Sequence, residues 1–231
     1  TDQIISAYRQ SAMNLRLLWI AVFLGLAFAF AHPASSADLA ARWTKFAQAL
    51  EALHKKRITS LDYVTEEKVG GYGGIRANPE FYREVRFNDR KSGRLLAIVQ
   101  REIQPPNSLH SIELYIYDDQ GRILREYLAT YLPHRREIPY QTLVTRYAYE
   151  GKLQAFRQFD ASDDFLFEYC GGELDRKKVR IAWDDLDMPD NVNEITDDFT
   201  RKAYQVCFQS LPKTAGAYLD PMTELDSAAT E

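Results

Sequence analysis

From residue 81 to residue 183, apolar and polar positions alternate in short runs rich in Tyr, Phe, Ile, Leu and Val, separated by polar clusters. A period of two bounded by turn-forming residues marks β-strands. The runs cover 81–87, 95–103, 110–117, 122–132, 141–149, 152–159, 164–170 and 178–183. Between them, Asn88-Asp89 with Ser92-Gly93, Asp118 to Gly121, Glu150-Gly151 and Asp160 to Asp164 supply the residues that reverse a chain. Links this short force neighbouring strands to run antiparallel. The pattern predicts an α+β fold: an antiparallel β-meander of about seven to nine strands, a strongly curved sheet or half-barrel, with an N-terminal amphipathic helix and a C-terminal helix packed on it. Pro105-Pro106 and the stretch 133–139 interrupt the ladder and are expected to mark edges or corners, because proline has no N–H to donate.

Outside the meander the period changes. Leu39, Trp43, Phe46, Leu50 and Leu53 recur at helical spacing behind Asp38, a good N-cap, so a helix is expected over 38–57. His54, Lys55, Lys56 and Arg57 fall in its last turn, where positive charge meets the negative end of the helix dipole. The same cluster has the charge to grip an anionic headgroup, though a favourable helix end accounts for it. Residues 58–67 are compatible with a first strand. Gly70, Gly71, Gly73 and Gly74 around Tyr72 read as a mobile loop over 69–75, a connector or a flap. Downstream, Ile195, Phe199, Ala203, Val206, Cys207 and Leu211 share one face of a second helix, with Asn191 as candidate cap, Glu194 three residues later, Asp197 and Asp198 near its start and Pro212 beyond its end. The polar composition of 213–231 reads as a flexible tail.

Alternation leaves apolar groups on both faces of the meander. In 110–117, Ile112, Leu114 and Ile116 oppose Tyr115 and Tyr117; in 141–149, Leu143, Tyr147 and Tyr149 oppose Val144 and Ala148. A sheet with one wet face would be polar there, so the second face is expected either to be covered by helices or to form an aromatic groove. The candidate ligand-binding residues are Tyr72, Tyr115, Tyr117, Tyr147 and Tyr149.

Composition places this domain in a compartment. Arg16 precedes an uncharged run over 17–31, and the small residues Ser35 and Ala37 follow, the layout of a secretory signal peptide cleaved before Asp38. Fifteen apolar residues fall short of the ~20 a membrane-crossing helix needs, so an uncleaved anchor over 17–31 is the lesser reading. Met13 reads as the true initiator and the residues before it as over-translated. One β-rich exported domain, periplasmic or extracellular, is then expected over 38–212, with membrane association only if the leader stays uncut. The exported part holds only Cys170 and Cys207, and an even pair in an oxidising compartment predicts a disulfide. Its plan, an amphipathic helix followed by a long meander, is similar to that of periplasmic lipoprotein carriers, which are helix-plugged half-barrels. That similarity is of organisation alone and carries no binding residue over.

Charge and motif content narrow the chemistry. With 29 basic and 33 acidic residues interspersed and a net charge of −4, no one-signed basic surface exists to hold a nucleic acid backbone. Hydrolase-elbow, HExxH, haem and zinc-cysteine signatures are missing, and no cofactor signature appears. Two His-x-x-Glu pairs, His110 with Glu113 and His134 with Glu137, would point to opposite faces of a strand. His134-Arg135-Arg136 reads as a solvated loop tip, with carboxylate or headgroup recognition as the sharper alternative. Asp185 and Asp187 begin a calcium-loop spacing that Pro189 and Asp190 then break. No catalytic or metal-ligating residue is assigned. The expectation is a non-enzymatic exported domain that binds an apolar ligand, such as a lipid, or an envelope protein through its aromatic face; an accessory subunit of an envelope complex and an enzyme without a recognisable motif are the rivals.

Overall fold

The computed structural model describes residues 36–72, 78–186 and 192–227. The leader with its initiator, most of the glycine-rich segment beyond Tyr72, Asp187, Pro189, Asp190 and the helix-cap candidate Asn191 lie outside the described residues. Two compact units divide the chain, 1–39 and 40–231; of the first, only the opening of a helix is described.

Helix α1 (Ser36–Ser60) leads into nine strands: β1 (Tyr63–Tyr72), β2 (Asn78–Asp89), β3 (Leu95–Glu102), β4 (Leu109–Tyr117), β5 (Ile123–Thr130), β6 (Gln141–Glu150), β7 (Leu153–Phe159), β8 (Phe165–Leu174) and β9 (Lys177–Asp184). A short 3-10 turn (Val192–Glu194), helix α2 (Asp198–Phe208), a second 3-10 turn (Gly216–Leu219) and helix α3 (Thr223–Ser227) complete the described chain. Every strand pairs antiparallel with its sequence neighbours, in the order β1 to β9, so the protein is a mostly-β meander whose sheet does not close. Both proline stretches lie in connections between paired strands, β3–β4 and β5–β6. They end strands rather than mark a sheet edge, and the edges are β1 and β9.

Cross-strand register carries one apolar row over six strands: Phe87, Ala97, Leu114, Tyr127, Val144 and Phe159. Ala97, Leu114, Tyr127, Val144 and Phe159 are buried in one core with Phe46, Ala47, Leu50 and Leu53 of α1. On the same face, β7 continues to Ala155, which pairs with Cys170, which pairs with Ile181. These join Ala203, Cys207 and Phe208 of α2 in a second core, closed by the Cys170–Cys207 disulfide with its Cα atoms 6.1 Å apart. The faces thus divide as the alternation suggests, with the exception of Tyr127, a tyrosine fully buried on the aliphatic side.

Several elements depart from the sequence expectation. Helix α1 runs one turn past Arg57, and the first strand is displaced to Tyr63–Tyr72. Its end includes Gly70 and Gly71, which composition assigned to a loop. Gly70 pairs with Tyr82, and the Tyr82 ring lies 2.4 Å from where a Gly70 Cβ would sit, so the missing side chain is what lets the ring cover the strand. Strands β8 and β9 are longer than their apolar runs, because Asp175 and Arg176 turn the hairpin with φ of 50° and 65°. Two positive-φ residues in a two-residue loop match the right-handed twist of the strands, and neither is the glycine that sequence reading looks for. Helix α2 starts at Asp198 with Asp197 as its cap, whose carboxylate accepts from Thr200 N at 2.7 Å. Residues 213–227 are not a free tail: Ala215 N donates to Asp163 at 2.5 Å, and Ala215 and Glu224 are buried.

Candidate functional site

The opposite face of the sheet belongs to neither core. Register sets Tyr147, Phe156 and Tyr169 side by side across β6, β7 and β8, with Thr145, Gln158 and Phe167 in the adjacent row. Phe156 is the hub: its ring centroid lies 5.5 Å from Tyr147, 5.5 Å from Tyr169 in a stacked arrangement, and 6.0 Å from Phe167. Towards β4, the Thr145 row continues through Glu126 to Tyr115, and the next row holds Leu143, Leu128 and Glu113. All four rings are half-buried with no helix contributing to them, and they form a contiguous aromatic strip.

Two carboxyl groups sit at one end of the strip. Tyr147 donates its hydroxyl to Glu126 Oε2 at 2.7 Å. Burial pushes the Glu113 carboxyl up to about 7, and the Glu126 charge beside it pushes the same way, while Tyr115 pulls it down. Burial together with these carboxylates raises the hydroxyl pKa of Tyr115 and Tyr147. Elsewhere in the fold a buried glutamate has an arginine: Glu84 has Arg86 at 2.9 Å, Glu102 has Arg136 at 2.6 Å, Glu168 has Arg157 at 2.8 Å, and Glu224 has Arg125. Glu113 and Glu126 take part in none of the ion pairs among the described residues. A proton retained near neutral pH replaces the missing cation, and such perturbed groups concentrate at functional sites.

Three of the five tyrosines expected to bind ligand, Tyr115, Tyr147 and Tyr149, lie on this face. Tyr149 is tethered at its edge, its hydroxyl donating to Ile123 O at 2.9 Å and the Arg122 guanidinium 4.6 Å over its ring. Tyr117 sits at the end of β4, where register shifts, and donates to Leu95 O at 2.9 Å. Tyr72 is far along the chain order of the sheet, at the end of β1, against Phe81 and His110 with ring centroids 5.2 and 5.9 Å away. The structure therefore does not bring the five together. It adds Phe156, Phe167, Tyr169, Glu113 and Glu126, which become neighbours only once the β4–β8 registers are known.

The other sequence candidates resolve into structure. Arg136, expected at a solvated loop tip, ion-pairs with Glu102, whose side chain is fully buried. His54, expected to add positive charge to the helix end, is buried instead, and burial with the nearby Arg101 and Arg57 charges lowers its pKa to about 4. Among the described residues, no group of three His, Cys, Asp or Glu is placed to hold a metal ion, and no helix is long and apolar enough to cross a membrane. Comparisons of the chain with family models, with curated proteins and with solved structures return no match.

Proposed function

We propose that this chain is an exported, non-enzymatic binding domain that holds an apolar ligand or an apolar partner segment against the Tyr147, Phe156 and Tyr169 strip. In this reading the sheet is strongly curved, the helices back one side, and the strip lines the other. The observation that carries it is the continuous row of half-buried rings on the face that neither core uses. Aromatic rings with hydroxyl tips offer apolar area and hydrogen bonds in one surface. The Cys170–Cys207 disulfide is compatible with an oxidising compartment outside the cytosol.

Native mass spectrometry of the protein isolated from the envelope or culture fluid of cells that produce it tests the reading. Retained lipid or a stoichiometric partner supports it, and bare protein recovered only from the cytosol contradicts it. One observation favours a second reading, an enzyme: the protonated Glu113 beside Glu126 is suited to give up a proton near neutral pH. In that case Glu113→Gln would abolish turnover of a bound substrate while leaving its binding intact.

A further inference from the structure

Away from the aromatic strip, a cleft of about 700 Å³ opens where the end of α1, the β2–β3 turn and the end of β4 meet α3. Its apolar wall is Leu61, Leu96 and Ile116, and its cations are Arg57, Lys91 and Arg94. None of these three cations takes part in an ion pair among the described residues. The carboxylates on the same wall have hydrogen-bond partners of their own, and Asp89 also attracts Arg94 at longer range. Asp89 accepts from the Ser92 N–H at 2.7 Å and from the Ser92 hydroxyl at 2.6 Å, and Glu224 is held by Arg125 and the Tyr127 hydroxyl.

We infer that this cleft binds an amphiphilic oxyanion, a carboxylate or phosphate carrying an alkyl chain. Arg57 is half-buried and spends one hydrogen bond on Tyr115 O at 3.2 Å, and the carboxylate that acts on its charge, Glu224, is already ion-paired with Arg125. Burial holds its pKa below the ordinary value, outweighing the attraction of Glu224. Arg94 is held in place: its guanidinium carbon lies 5.6 Å over the Tyr117 ring, and the group occupies the space a side chain on Gly121 would fill. A guanidinium fork pre-set in this way matches carboxylate and phosphate geometry. The leucine and isoleucine wall beside it favours an alkyl chain over a bare ion, and the volume lies in the range of small-molecule sites. The basic end of α1, legible in the sequence, thereby acquires a ligand chemistry.

The test is isothermal titration of the full chain with dodecanoate, dodecyl phosphate, dodecyltrimethylammonium and inorganic phosphate. The two anionic amphiphiles should bind one per chain, at least about tenfold more tightly than either the cationic amphiphile or phosphate alone, since one charge-assisted hydrogen bond accounts for that factor. The stronger of the two distinguishes a fatty-acid source from a phospholipid headgroup. Lys91→Gln with Arg94→Gln, both exposed positions, should weaken dodecanoate about tenfold with an unchanged melting temperature. Arg57→Gln should weaken it too; because that change also removes the Tyr115 contact, the surface double variant decides. Phe156→Arg should leave dodecanoate binding intact. Equal affinity for the cationic and anionic amphiphiles, full binding by the double variant, or loss of binding in Phe156→Arg would overturn the inference. The last outcome would do so while leaving the aromatic strip as a binding face.

Discussion

Arg125 on β5 and Glu224 on α3, 99 positions apart, form a buried two-pronged ion pair in which Arg125 Nη2 lies 2.6 Å from Glu224 Oε2, and Tyr127 donates its hydroxyl to the same carboxylate. The Tyr218 ring, 4.1 Å from the Arg125 guanidinium, flanks the pair. A segment whose composition suggests a loose tail is therefore fastened to the centre of the sheet by charge.

Removing one partner strands the other, and an unpaired buried guanidinium costs far more than the pair itself contributes. Glu224→Ala should lower stability by about 3 to 5 kcal/mol, read as a shift in the urea midpoint followed by circular dichroism. Glu224→Gln, whose single carbonyl oxygen still accepts from Tyr127 and one arm of Arg125, should cost less. Equal midpoints for wild type and Glu224→Ala would show that 213–227 is not fastened as described.

The Cys170–Cys207 bridge spans a sequence separation of 37 and ties β8 to α2 within the second core. Cross-linking a loop of this size restricts the unfolded chain by about 3 to 4 kcal/mol in the entropic account. Reduction, or the Cys170→Ala with Cys207→Ala double variant, should lower the thermal midpoint by several degrees. An unchanged midpoint under reducing conditions would remove the bridge from the account of stability.

Two groups set opposite pH slopes. His54 stays neutral in the fold down to about 4 but is protonated in the unfolded chain below its ordinary 6.5, so its contribution is full above 6.5 and falls away as pH drops toward 4. Its buried position makes that loss on the order of 2 to 3 kcal/mol. Glu113 keeps its proton in the fold up to about 7 against an ordinary 4.5, so its contribution is full below 4.5 and is lost as pH rises to 7. Being half-buried, it is partly screened, and the loss is about 1 to 2 kcal/mol. Glu113→Gln should therefore stabilise the protein at pH 8 and leave it unchanged at pH 4, while His54→Gln should flatten the acid limb. Urea titrations at three pH values separate the two, and a Glu113→Gln variant no more stable at pH 8 would refute the carboxyl pairing.

How much of this was legible in the sequence depended on whether the signal was periodic. The meander was, because Ile112, Leu114 and Val144 alternate with Tyr115 and Tyr147 at the strand period and Asp118 to Gly121 announces its turn. The stripe of α1 was legible for the same reason, and the disulfide because an even pair of cysteines in a chain read as exported is expected to bond. What escaped depends on pairing in space. Gly70 and Gly71 extend β1 because Gly70 pairs with Tyr82 and Tyr72 with Asn78, Gly71 lying in the register shift between them, and Asp175-Arg176 turns a hairpin without glycine. Residues 213–227 are fixed by polar contacts to Asp163 and Arg125 and by Ala215, Tyr218, Leu219, Met222 and Leu225 packing at the first core, with no strand or helix period to announce it. The strip itself was half visible: Tyr115, Tyr147 and Tyr149 follow from alternation, whereas the neighbours Glu126, Phe156 and Tyr169 require registers across four hairpins.

Titration with Nile red, a neutral apolar dye, reports most directly on whether the aromatic strip is a binding face. Wild-type protein should give a saturable fluorescence increase with one dye per chain, and Phe156→Arg, folded to the same melting temperature, should lose at least about tenfold in affinity, the equivalent of roughly 1.4 kcal/mol. Equal dye binding by both proteins, or none by either, would contradict a ligand-binding role for the row of Tyr147, Phe156 and Tyr169.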